Sequence, residues 1–455
     1  MSELKMASAT KEVFNMLCCM CFAPTIVMLS TAVRYWLITL LCPTSSRILN
    51  VGLMFVKNRP EYELSVGYRT SAGAVLIAKD RIVKEQLLPS YEIEFTVRFD
   101  ECDEKRAVGI TTELITNQKV DAIIGPTCSN AAIISGVNAA FYNIPLFTWG
   151  LSTSSAFGNM DRFPTTALLS VNSYRMYLLK REDVIITTTI RLKDVTSVEV
   201  IQALGNVSAR SRIVVVCLAE GFNYKRTFLL AAKDGGYLND EYVYVFADTK
   251  SKGYYVSVLG EPDRPIWEDM TIPSDGRDKE AMMAFGKTLV VSNHLGGENS
   301  NPKYDAFKNG VITRIKDPPF NCLEDCKGVQ YSKISAFAGQ LHDGLYVYAR
   351  ALNLTLQRNL DALRNGTQVL ENVGMVFEGA HGPVHMGSNG LRIPTFYMDG
   401  LDGFGKQELY GTITVEGQNG IYEPSYTNET LIWWSRSGIR PLDEPLCGFT
   451  GRQVL

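Results

Sequence analysis

The run Gly125-Pro126-Thr127-Cys128-Ser129-Asn130 sets two hydroxyls, a thiol and a carboxamide between an apolar strand beginning at Val120 and a small-residue helix read over Ala131 to Tyr142. A turn at the carboxyl end of a strand leaves the first amides of the next helix without intrahelical acceptors, and the helix dipole adds partial positive charge, so the position favours an anion or a carboxylate. Thr127, Ser129 and Asn130 are therefore the first ligand-binding candidates. The plainer alternative is that Ser129 or Asn130 only caps the helix. Trp149-Gly150-Leu151-Ser152-Thr153 ends the next apolar run. Trp149 and Ser152 are expected to line the same cleft, with ordinary core packing as the alternative. Tyr224, just past the Gly221 turn, is the matching candidate from a second strand-helix unit.

Other chemistry finds little support. His381 and His385 stand four apart, a spacing that would place both on one face of a helix, but Gly382 and Pro383 between them exclude a helix. With four histidines in the chain, no nucleophile-histidine-carboxylate set can be argued. The glycines that begin at Gly400 form a loop rather than a phosphate cradle. Outside the cluster Cys18, Cys19 and Cys21 no C-x-x-C pair occurs, so a structural zinc site is not expected. No metal and no cofactor are predicted.

The composition agrees with a binding protein. The 455 residues are 46% apolar and 20% charged, with a net charge of −3. That length allows about two to three domains, and the scattered lysines and arginines argue against nucleic acid as a partner. No charged residue lies between Glu12 and Arg34, and YWLITLLC follows. This reads as a secretory signal over residues 1–46, with its apolar core at Tyr35 to Cys42, cleavage near Ser45 or Ser46, and Met28 as an alternative start. An uncleaved anchor over Val13 to Val33 is the rival, since that stretch is long enough to span a bilayer. Asn206, Asn353, Asn365 and Asn428 stand in N-x-S/T triplets, consistent with export and glycosylation. Cys322 and Cys326 are read as a small local disulfide loop, and Cys217, within VVVCL, as a buried apolar thiol.

The elements that must position these residues alternate. Ile48 to Val56 reads as a strand, followed by a loop at Pro60, a helix over Ser71 to Gln86 and a strand over Tyr91 to Phe99. Strands at Val120, Ile144 to Trp149, Arg212 to Gly221 and up to Asp248 continue the pattern, with a helix over Lys225 to Lys233. Such alternation implies parallel sheets joined by right-handed crossovers. The stretches 249–278 and 293–321 break it, and a helix is expected to resume over Lys333 to Asn353.

VDAIIGPTCSNAAIISGVNAAFYNIPLFTWG, VVVCLAEGFNY, FAGQLHDGLYVYARALN and FEGAHGPVHMGSNGLR closely resemble the natriuretic-peptide-receptor-like ligand-binding region. IWWSRSGIRPLDEPLCGF resembles the pre-membrane end of receptor-type guanylyl cyclases, particularly those of nematodes. The resemblance covers roughly Arg47 to Phe449. It implies an α/β fold, the two-lobed periplasmic-binding-protein type I clamshell, each lobe a mostly parallel sheet flanked by helices. The ligand-binding region spans 47–435, with lobe one at 47–166 and 302–378, lobe two at 168–295 and 382–435, and a pre-membrane tail at 436–455. The resemblance also implies a Cys102–Cys128 disulfide and a β-hairpin around His381. Natriuretic members bind chloride near the 125–130 turn and carry a serine seven residues before the first cysteine, where this chain has Phe95.

The expected function is an extracellular sensory domain, on the secretory route, for a small molecule, ion or peptide, acting as a homodimer or as a heterodimer with receptor cyclases. Because the chain ends at Leu455, no transmembrane, kinase-like or cyclase region and no cyclase activity of its own is expected. The alternatives are a ligand-independent dimerisation partner or decoy for receptor cyclases, and a glutamate-receptor or class C receptor-type module.

Overall fold

Unbroken apolar runs supply the middle strands of two sheets. The computed structural model describes residues 46–171, 186–218, 223–247, 253–257, 261–292, 302–416 and 419–449. The N-terminal signal or anchor up to residue 45, the Gly221 turn and Asp248 lie outside the described residues. Among the described residues no helix is long and apolar enough to cross a membrane.

The first sheet takes β1 (Arg47–Phe55), β2 (Tyr91–Phe99), β3 (Ala122–Ile124), β4 (Leu146–Thr148) and β5 (Thr166–Leu168), in the order β2-β1-β3-β4-β5. The β1/β3, β3/β4 and β4/β5 pairs are parallel. Between β1 and β2 run α1 (Pro60–Val66), α2 (Tyr68–Ser71) and α3 (Gly73–Lys84). Pro60, expected in a loop, instead occupies the first turn of α1, where its missing N–H has no intrahelical partner to lose. A helix unmarked in the sequence reading, α4 (Glu104–Thr116), starts at Asp103, whose carboxylate accepts the Arg106 amide at 2.8 Å. It packs against α5 (Ser129–Phe141), and Met54, Leu114, Ile123, Ala131 and Leu146 form the core between those helices and the sheet.

The second sheet begins with α6 (Ser197–Ser208), β6 (Ile213–Val216), α7 (Tyr224–Asp234) and β7 (Val243–Ala247). The small antiparallel pair β8 (Tyr255–Val256) and β9 (Arg264–Pro265), then α8 (Asp278–Phe285) and β10 (Thr288–Ser292), follow. Strands β6, β7 and β10 are parallel. Val216, Tyr244, Phe246 and Val290 bury into one core with Val200, Leu229 and Phe285 of the three helices.

The chain then returns to the first sheet. In place of an irregular connector, Pro302–Arg314 forms α9, which packs on α3. The long helix α10 (Ala338–Arg358) starts five residues later than expected and packs on α3, β3 and β4, with α11 (Gly366–Leu370) beyond it. The hairpin predicted around His381 is present as β11 (Met375–Gly379) and β12 (Gly382–Met386), joined by β13 (Arg392–Ile393). Residues 382–393 were expected in lobe two. They belong with the first sheet, because Leu168 donates its amide to Gly390 O at 2.8 Å and Leu391 packs with Ala132, Phe157, Phe163 and Leu168. The second sheet resumes at β14 (Thr395–Leu401), β15 (Gln407–Glu416) and β16 (Asn419–Pro424), giving the order β16-β15-β14-β10-β7-β6.

Candidate functional site

In doubly wound sheets, ligands bind outside the carboxyl ends of the strands. At that end of the first sheet, Gly125 takes φ 107°, and a Cβ there would stand 2.6 Å from Met54 O, so only glycine fits. Cys128 is the N-cap of α5 and is disulfide-bonded to Cys102, with Cα atoms 5.4 Å apart. Neither Ser129 nor Asn130 caps the helix. The Ser129 hydroxyl donates to Leu151 O at 3.1 Å and accepts the Thr153 amide at 3.0 Å, tying the start of α5 to the loop after β4. Asn130 is exposed.

Three of the expected cleft residues point inward. Thr127, Trp149 and Ser152 are all fully buried. Trp149 packs edge-on to Phe55, with ring centroids 6.3 Å apart, and Ser152 donates to Trp149 O at 2.8 Å. The apolar environment that ends β4 draws the indole into the core instead of leaving it as a cleft wall. Phe95 sits in β2 with the Lys79 ammonium 5.9 Å from its ring, and offers no hydroxyl.

The residue that organises this end of the sheet comes from far along the chain. Gln340, in the first turn of α10, accepts the Gly150 amide at 2.8 Å and the Ser170 hydroxyl at 3.3 Å, while Ser170 also donates to Gly150 O at 2.9 Å. Gly150 has φ 74°, and a Cβ would meet Val66 at 2.4 Å. Nearby, Asp100 is fully buried and accepts the Cys102 amide at 3.0 Å; burial pushes its carboxyl up to about 7. The Cys322–Cys326 disulfide closes a loop whose Asp325 reaches Lys57 at 2.9 Å and accepts Arg69 Nε at its carbonyl at 3.0 Å.

At the carboxyl end of the second sheet, Tyr224 heads α7 and is half-buried. The neighbouring Arg226 guanidinium is buried and forks onto Asp275 at 2.6 and 2.7 Å, reaches Asp278 at 2.9 Å, and donates to Trp267 O at 2.8 Å. The Arg226 charge holds the Asp275 carboxyl below its usual range. The Asp275 and Thr271 amides hold Asp269 down at about 2. A cavity of about 320 Å³ opens beside them, lined by Trp267, Glu268, Asp269, Asp278, Lys279 and Met282. Lys333, from the segment before α10, donates to Glu261 O at 2.8 Å and lies 3.2 Å from Asp263, joining the two sheets' surroundings. Among the described residues no cluster of histidine, cysteine and acidic groups could hold a metal ion.

Gln340 lies within FAGQLHDGLYVYARALN but was not singled out there, and Arg226 and Lys333 stood in no motif; for Gln340 and Arg226 the available signal was a polar side chain inside an otherwise apolar helical pattern. Cys217, expected to be buried, is exposed because β6 is the edge strand. Asn206 and Asn428 are exposed, whereas Asn353 and Asn365 are half-buried; Asn365 caps α11 by accepting the Gln368 amide at 3.2 Å.

Residues 70–179 and 179–403 match the model of the receptor family ligand binding region. The chain is 35% identical over 451 residues to the receptor-type guanylate cyclases gcy-20 and gcy-14 of Caenorhabditis elegans, and 34% identical over 427 residues to gcy-13 of the same organism. The first two alignments cover 89% of this chain and 40% of each cyclase, so the chain spans well under half the length of the curated relatives it matches. Among solved structures, the branched-chain amino acid transporter substrate binding protein LivJ of Streptococcus pneumoniae, in complex with isoleucine, aligns with 83% of this chain and all of its own. The TM-score there is 0.47 and the identity 14%. By its family match this chain is a member of the receptor family ligand binding region.

Proposed function

We propose that the chain is the extracellular, ligand-sensing part of a receptor-type guanylate cyclase, which binds a small molecule, ion or peptide between the carboxyl ends of its two sheets. The observation that carries the reading is the paired equipment at those ends. The first sheet presents the α5 N-terminus, braced through Ser129 and Gln340. The second presents Tyr224 at the head of α7, with the buried Arg226–Asp275 pair beside it. A braced site can turn ligand binding into a shift between lobe arrangements, because only differential contacts with the two arrangements move the equilibrium. Two disulfides and four N-x-S/T triplets support passage through an oxidising, secretory compartment.

The test is a thermal-shift and scattering screen of the full chain against salts, amino acids and short peptides. A hit should raise the melting temperature and lose most of that shift in Asp269→Asn or Asn130→Ala. A screen with no hit, or hits indifferent to both substitutions, would count against the reading.

A second reading, pairing with another receptor chain, is favoured by one feature. Phe141 is 81% exposed at the end of α5, stacked edge-on with Tyr142 beside Val137. Sedimentation of wild type and Phe141→Asp would show a dimer lost in the variant if this patch forms the contact.

A further inference from the structure

The second sheet has a face that none of its own helices covers. Alternation along its strands sends Val216, Tyr244, Phe246 and Val290 into the core beneath α6, α7 and α8. Ile213, Val215, Val243 and Leu289 therefore stand on the opposite face, and Ile213 and Val215 are 48% and 62% exposed. At the amino-terminal ends of β6, β7 and β10, away from the candidate cleft, the segment after β16 folds across this face. Its position is fixed. Arg436, buried, donates to Tyr242 O at 2.5 Å and to Lys287 O at 3.0 Å, and Trp434 Nε1 donates to Leu401 O.

Between the sheet and this anchored segment lies a cavity of about 250 Å³. Its floor is Ile213, Val243, Leu289 and Met398, and its aromatic walls are Tyr422, Tyr426 and Trp433. Glu429, Arg440 and Asp443 also line it. The Tyr422 hydroxyl is already spent on Tyr410 O at 3.1 Å. Among the described residues, no side-chain hydrogen bond or ion pair engages Arg440 or Asp443, so the cavity offers an apolar body and unspent polar groups together. Apolar walls with a few placed polar groups are the usual make-up of a small-molecule site.

We propose that this cavity is a second binding site, distinct from the cleft, for a compact amphipathic molecule. The ligand has an aromatic or branched aliphatic body seated on Ile213, Val243, Leu289 and Met398, and one polar head among Glu429, Arg440 and Asp443. The volume sets its size. At about 250 Å³ it falls just below the roughly 300–1,000 Å³ of sites for drug-sized ligands, which suits a molecule of the size of a substituted phenol. The anchoring of Arg436 makes the site preformed, so binding needs no ordering of the wall.

4-Ethylphenol, an aromatic body with one hydroxyl, is the probe. Titrated into the full chain and followed by ligand-observed NMR and calorimetry, it should bind saturably at one site. Val243→Phe, which fills the floor, should weaken binding at least tenfold while leaving the melting temperature within a few degrees. Leu289→Phe is the second filled variant should the first fail to fold. Asp269→Asn, in the cleft, should leave probe binding unchanged, which separates this proposal from the reading of the cleft. No saturable binding by wild type, or binding that survives a folded filled variant, would overturn the proposal. So would concentration-dependent self-association abolished by Ile213→Asp, since a second copy would then occupy the face.

Discussion

The parallel strands of the two sheets are alike in being apolar and end in different surroundings. In the first, β3, β4 and β5 are buried at every position, with α4 and α5 on one side and α3 and α10 on the other. In the second, β7 and β10 alternate between buried and half-buried, and β6 is largely open. A run such as IVVV is the expected signature of a strand covered on both faces, yet only one face of β6 is packed. The difference lies in connectivity. The first sheet receives α9, α10 and α11 from the chain's return, whereas the second receives strands β14 to β16 and the segment that follows them.

The contrast can be broken most sharply at its glycines. Gly125→Val in the first sheet should cost about 3–4 kcal/mol, because the new side chain meets the Met54 carbonyl. Gly236→Ala in the second, where φ is 80° but nothing lies within 4 Å, should cost about 1–2 kcal/mol. Urea denaturation of the two variants checks this, and equal costs would refute the contrast. Core truncation should show the same asymmetry: Phe147→Ala, on a fully buried side chain 5.5 Å from Tyr348, should lose about 3–5 kcal/mol, and Val215→Ala on the open face no more than about 0.5 kcal/mol.

Titration sharpens the comparison, because each lobe holds one carboxyl with no exposure at all, Asp100 in the first and Asp399 in the second. Burial raises Asp100 and Asp399 alike to about 7. In the unfolded chain both titrate near 3.9, so the folded state keeps its proton to higher pH. Their contribution is complete below about pH 4 and is lost as pH rises towards 7. Asp399, with neither carboxylate oxygen hydrogen-bonded, should show the larger effect. Asp399→Asn should raise the melting temperature at pH 8 and leave it nearly unchanged at pH 4; Asp100→Asn should gain less, because its carboxylate serves the Cys102 amide. The smallest effect is expected at the link between the lobes. Lys333→Ala removes a half-exposed pair worth about 1 kcal/mol or less, visible as a change in the scattering profile before any change in stability.

Local pattern made much of this fold legible. β2 spans Tyr91–Phe99 as read, and the turn at Gly125-Pro126 follows the apolar strand as its residues suggest; Gly382 and Pro383 excluded a helix, while the hairpin around His381 came from the family resemblance. What escaped was decided at a distance. Trp149 resembles a cleft wall in sequence and becomes core because Phe55, ninety-four positions earlier, receives it. Gln340 matters only because α10 brings it to Gly150, 190 residues away. The helix over 302–314 was obscured by the glycine and proline on either side of it, and Cys217 was misplaced because nothing in VVVCL reveals an edge strand.

Helix α10 carries one more consequence, for how the protein is made. It supplies part of the core beneath β3 and β4, yet it leaves the ribosome about two hundred residues after those strands. While the second lobe is being synthesised, the first has an uncovered apolar flank and lacks the Gln340 brace. The nascent chain must hold that surface open while β6, β7, β10 and their helices in the second lobe are made, and this interval is when chaperones would be needed most.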